Sequence, residues 1–129
     1  MLQQFRASEG ELGHPHLGVG GNGAAERPQA YQERIRQVND EFHAVTELNP
    51  DALSIAASLD EERKVKGNAV GPLHGIPILL KDNIATRDKM NNTAGSFLLL
   101  GAKVAHDSTV ARKLREAGAV ILGKANLDE

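Results

Sequence analysis

The sequence has no cysteine and no tryptophan, and three Phe with one Tyr are its whole aromatic content. Without a thiol there is no disulfide frame, no thiolate metal site and no cysteine nucleophile, so the redox compartment leaves no trace in it. With so few rings, a core has to be assembled from Leu, Ile, Val and Ala, which contribute less per residue on burial than a large ring, and marginal stability is expected. An excess of positive charge is missing too. Fifteen Lys and Arg against seventeen Asp and Glu leave a formal −2, which offers no basic field for phosphates, so neither nucleic acid nor an anionic membrane is expected as a partner. Long apolar runs are also absent. The greasiest stretch, residues 97–100, is far too short to span a bilayer, and residues 1–10 lack the apolar segment of a signal peptide. These absences predict a soluble chain with a cytoplasmic location. What is present, 129 residues with 40% apolar and 25% charged, fits one small globular domain or a piece of a larger one.

Residues 1–29 are rich in Gly, Pro, His and Ala without any period, and read as a flexible leader ahead of a folded portion at 30–129. Gly18, Gly20 and Gly23 match a dinucleotide-loop spacing, but no strand precedes them and Pro28 interrupts the stretch after them, so they read as a floppy cluster. His14 and His16 have no third metal ligand near them and read as solvated.

Tyr31, Ile35, Val38 and Phe42 recur at helical spacing and predict an amphipathic helix over 29–42. A short strand is expected within 44–49. Asn49 as N-cap, Pro50 at the first helical position and Asp51 in the first turn then predict a second helix to Lys66, with Gly67 at its left-handed end. Its Asp60/Lys64 and Glu62/Lys66 pairs mark a solvated face. A strand over 76–80, a helix over 108–117 capped by Asp107 or Ser108, and a strand over 119–122 complete the pattern. In that helix Val110, Ala111, Leu114 and Ala117 share a face, and Gly118 ends it. Strand, helix, strand predicts an α/β fold with the two strands parallel, joined by a right-handed crossover and, being uniformly apolar, covered on both faces.

In an open parallel sheet functional groups gather beyond the carboxyl ends of the strands. Lys81, Asp82, Asn83, Lys124, Asn126 and Asp128 are expected along that rim. In "GPLHGIPILLKDN", residues 71–83, Lys81 follows the most apolar run at once. A lysine partly buried there has its ammonium disfavoured by desolvation and, when neutral, is a base. The same residues also fit an ordinary strand-to-turn exit in which Asp82 pairs with Lys81. Thr93, Ser96 and Ser108 are the hydroxyls within reach of such a base. "TAGSFL" lacks the second glycine and the elbow of a G-x-S-x-G nucleophile, so Ser96 reads as a loop or helix-start residue, and Ser108 as a cap. His74 has no acid placed to orient it, and a structural hydrogen bond is expected.

"GPLHGIPILLKDNI" (71–84), "TAGS" (93–96) and "DSTVARKLREAGAVILGKANLDE" (107–129), in this order, resemble the N-terminal part of the amidase signature family, the Ser-Ser-Lys amide hydrolases. These include fatty-acid amide hydrolases, glutamyl-tRNA amidotransferase A subunits and peptide amidases. "YQERIRQVNDEFHAVTELNPDAL" is similar to the family's leading helices, so the resemblance covers about residues 30–129. It implies a mixed sheet flanked by helices, a small-molecule carboxamide substrate, and no metal or cofactor. It also implies that Lys81 is the catalytic base of the triad, accepting a proton through a bridging serine from a nucleophilic serine. Both serines and the Gly/Ser-rich oxyanion loop fall in family segments beyond the one matching "GKANLDE", so this chain carries one third of the triad and is expected to be inactive alone. The alternative is a non-catalytic interaction module derived from such an enzyme; a self-contained hydrolase using Ser96 with Lys81 ranks below both, for want of an oxyanion loop. Departures from the pattern are "IATRDKMNN" before "TAGS", "GKAN" in place of "GKTN", and the unmatched leader. Oligomeric state is open.

Overall fold

The structure, a computed structural model, describes residues 26–127. The glycine cluster at 18–23, His14, His16 and Asp128 lie outside the described residues. Helix α1 (Glu26–Phe42) leads into strand β1 (Val45–Leu48) and helix α2 (Ala52–Lys66); strand β2 (Pro77–Lys81), a 3-10 turn at Phe97–Leu99, helix α3 (Thr109–Glu116) and strand β3 (Val120–Ala125) come next. β3 is central. It runs parallel to β2 and antiparallel to β1, giving the order β1-β3-β2. The expected parallel pair is therefore present, in a mixed sheet.

The alternation along β3 builds two cores. Val120 and Leu122 face α2 and pack with Ala52 and Ala56, with Ile35, Leu48, Ile55 and Leu59 around them. Ile121 faces the other way, onto Ala111 of α3 with Leu80 and Met90. Each large aliphatic side chain enclosed in this way contributes roughly 1.5–3 kcal/mol. The central strand is buried from Val120 to Lys124, whereas in β2 Leu79 remains 40% exposed. Cover on both faces, expected for both strands, holds for β3 alone, because α1 and α2 gather over β1 and β3 and leave one side of β2 open.

Several helix details differ from expectation. The buried stripe of α1 runs through Pro28, Gln32 and Ile35, while Tyr31 and Phe42 are exposed. The period is as expected but rotated, because Asn39 faces inward to hold both the N–H and the C=O of Val45 at 2.8 Å. Asn49 is not the cap of α2, which starts at Ala52 behind Asp51. Instead, Asn49 accepts from the Asp51 N–H at 3.0 Å and donates to Ile121 O at 2.8 Å, fastening the end of β1 to β3. Lys66 pairs with Glu62 as expected, and Lys64 reaches Glu61. Ser108 caps α3 through the Ala111 N–H at 3.2 Å. Val110 points to solvent, since Ala111 and Leu114 already fill the contact with the sheet.

Candidate functional site

The ends of β2 and β3 bring Lys81, Asp82, Lys124 and Asn126 to one rim. Lys81 is the last ladder residue of β2, opposite Ala125, and is half-buried. Strand alternation sets it on the opposite face from the enclosed Leu80, on the open side of β2 with Leu79. Asn83, next beyond Asp82, is exposed.

Asp82 turns inward. It is 5% exposed, and its Oδ2 accepts from the Thr93 hydroxyl at 2.5 Å and from the Gly95 N–H at 3.4 Å. Its own N–H donates to Ala125 O at 3.0 Å. Asp82 and Asn126 share the wall of an open cleft of ≈ 250 Å³ with Thr46, Glu47, Asn91 and Thr93. Glu47 holds one side of that wall by accepting from the Asn91 N–H at 2.8 Å and from its side-chain amide.

Lys124 is the wholly buried lysine, at 0% exposure. A strict alternation from Ile121 would send it towards α2. Between Ile78 and Leu79 the register slips, so that Leu122 has no partner on β2 and Lys124 stands opposite Leu80. This bulge re-aims the side chain. Its Nζ donates to Ile84 O at 2.6 Å and to Asn92 Oδ1 at 3.0 Å. Burial pushes the Lys124 ammonium below its ordinary range, opposed in part by the negative charges of Asp88, Asp82 and Glu47. Asn92 in turn binds the Thr86 N–H at 2.7 Å and C=O at 3.1 Å. Arg115 of α3 reaches Asp88 at 2.7 Å and Asp107 at 3.1 Å. Residues 84–92 are thus held from the strand, from within and from α3.

The three hydroxyl candidates separate. Thr93 is committed to Asp82, Ser108 caps α3, and Ser96 starts the 3-10 turn. His74 is buried, its Nε2 2.8 Å from Leu59 O, which is the structural bond expected of it. Reasoning from sequence missed the Asp82–Thr93 pair and the burial of Lys124. The i→i+2 bond from the Met90 N–H to Asp88 is local, an Asx-type turn of the kind aspartate favours. Pairs that span a loop carry no such mark.

Comparison with known proteins gives a consistent outcome. The family model described as Amidase matches residues 27–129. A putative amidase of Arthroderma benhamiae is 55% identical over 101 residues, covering 78% of this chain and 17% of the relative. A probable amidase of Arabidopsis thaliana is 56% identical over 102 residues, covering 78% and 20%. The native peptide amidase of Stenotrophomonas maltophilia superposes with a TM-score of 0.76 at 48% identity, over 84% of this chain and 22% of that one. The chain spans about a fifth of the length of these relatives.

Proposed function

Because the chain belongs to the amidase family, we propose that it supplies the base of a Ser-Ser-Lys hydrolase that cleaves carboxamide C–N bonds of small-molecule amides, with Lys81 in that role. The observation carrying this reading is the position of Lys81, half-buried at the carboxyl end of β2 and fixed by the β3 ladder. In the reaction, Lys81 takes the proton of a bridging serine as that serine takes the proton of the nucleophile. The nucleophile attacks the carbonyl, backbone N–H groups of a Gly/Ser-rich loop hold the oxyanion, and the C–N bond breaks as the proton returns through the bridge to the leaving amine. Water then repeats the sequence on the acyl-serine and releases the acid. In the family mechanism the two serines and the oxyanion loop come from segments other than those that residues 27–129 match.

The test is a chimera in which residues 27–127 replace the matching segment of the Stenotrophomonas maltophilia peptide amidase. The chimera is expected to cleave a peptide amide, and Lys81→Ala to abolish turnover while the melting temperature stays near that of the parent. Near-parental turnover in Lys81→Ala would remove Lys81 from the mechanism.

A further inference from the structure

We propose that Asp82 and Thr93 form a clasp that sets the position of Lys81, which makes them positioning residues for amide cleavage; this rests on the assignment of Lys81 as the base. Asp82 comes directly after Lys81 and is fixed at two ends. Its N–H is bound to Ala125 O, and its carboxylate receives the Thr93 hydroxyl and the Gly95 N–H. Lys81 cannot rotate about its own backbone without breaking one of these bonds. A carboxylate enclosed to this degree is costly unless it is hydrogen-bonded, and a hydroxyl donating to an ionised oxygen is among the stronger bonds available to it.

The far side of the clasp is under strain. Ala94 has φ +47° and Gly95 φ +76°, two left-handed residues in succession, closed by the Ser96 N–H donating to Thr93 O at 2.8 Å. Alanine holds that conformation only where its surroundings over-determine it. Thr93 and Gly95, on either side of Ala94, are both gripped by the one carboxylate oxygen. Strain, burial and a short charge-assisted bond therefore converge on the residue next to Lys81. A simple strand exit requires none of them.

The peptide amidase chimera again provides the test. Thr93→Val keeps the shape and removes the hydroxyl; Thr93→Ser keeps the hydroxyl. Thr93→Val is expected to lower kcat by about 100-fold, the order of loss from a small misplacement of a reacting group, with KM little changed. Thr93→Ser should restore most of kcat. Asp82→Asn should lower kcat in the same way, and the Asp82→Asn/Thr93→Val double variant should lose no more than the worse single variant, as expected of two residues acting as one unit. Should Thr93→Val fail to fold, Asp82→Asn, nearly isosteric, carries the test with Thr93→Ser. Parental kcat in Thr93→Val or Asp82→Asn, a loss confined to KM, or additive losses in the double variant would overturn the clasp. Turnover surviving Lys81→Ala would instead bring down the base assignment. A dead Lys81→Ala beside a normal Thr93→Val would overturn the clasp alone.

Discussion

Among single residues, the two lysines of the rim have opposite fates. Lys81 lies half-buried on the open side of β2 and Lys124 is enclosed beneath residues 84–92. The proposed relay needs a group that can give up and regain a proton, so Lys81→Arg in the peptide amidase chimera should be as inactive as Lys81→Ala, arginine remaining protonated at every working pH. A steady-state rate within about tenfold of the parent would contradict a proton-accepting role. For Lys124 the expected signature is in stability. Its ammonium is disfavoured in the fold, so between its lowered value and the ordinary 10.5 the unfolded chain holds the proton that the folded chain has released. Unfolding then takes up protons, and stability rises with pH across that interval and is lost again as pH falls through it. Urea denaturation of the peptide amidase chimera at stepped alkaline pH should show this rise and lack it in Lys124→Met. At neutral pH the same substitution should cost about 1–3 kcal/mol, because Ile84 O and Asn92 Oδ1 lose their donor. Lys81 stands out in the sequence because an apolar run ends on it. Lys124 is legible there as a rim residue but not as an interior one, since its burial depends on a strand bulge and on a loop more than thirty residues away in sequence, neither of which leaves a periodic mark.

Among the helices and strands, what repeats locally was legible and what depends on a partner was not. The Ser108 cap and the end of α2 at Gly67 come from motifs within a turn or two, and the one long-range pairing that was legible, β2 with β3, follows from the handedness of a strand-helix-strand crossover. The rotation of the α1 stripe comes from Asn39 binding Val45, and the open side of β2 from where the helices settle; both are set by tertiary packing that propensity does not encode. The sequence predicts an end to β3 at Leu122, because the apolar run stops there. The strand continues to Ala125 because β1 presses against Gly123 so closely that a Cβ there would collide with Glu47 O and meet Leu48 Cα at 3.3 Å. Gly123→Ala should therefore force β1 away from β3 and destabilise the fold by about 1–3 kcal/mol, read as a fall in the urea midpoint of the peptide amidase chimera. An unchanged midpoint would mean that β1 moves aside freely.

Taken together, residues 26–127 enclose β3 but leave the apolar run 97–100 outside. Phe97 and Leu98 are each 94% exposed, Leu100 is 65% exposed, and Leu79 adds a further apolar side chain on the open side of β2. An exposed apolar run of that length is seldom left to water in stable monomers. The purified chain, taken alone, is expected to bind an environment-sensitive hydrophobic dye, to melt without a sharp transition and to hydrolyse no amide above background. The peptide amidase chimera should bind less dye and melt cooperatively. A sharp melt of the short chain with no dye uptake would mark these residues as a self-sufficient unit, and amide turnover by it would return attention to Ser96. The order β1-β3-β2 also has a bearing on synthesis. The strand that holds the other two together is the last of the three to be made, and the Thr46 hydroxyl waits for Lys124 O across 78 residues of chain. Until residues 120–125 have left the ribosome, β1 and β2 lack the strand they pair with in this sheet, so the nascent chain up to that point carries two orphan strands. Within residues 26–127 this three-stranded sheet is therefore expected to close late, once β3 has been made, and cannot be built up strand by strand from the N-terminus.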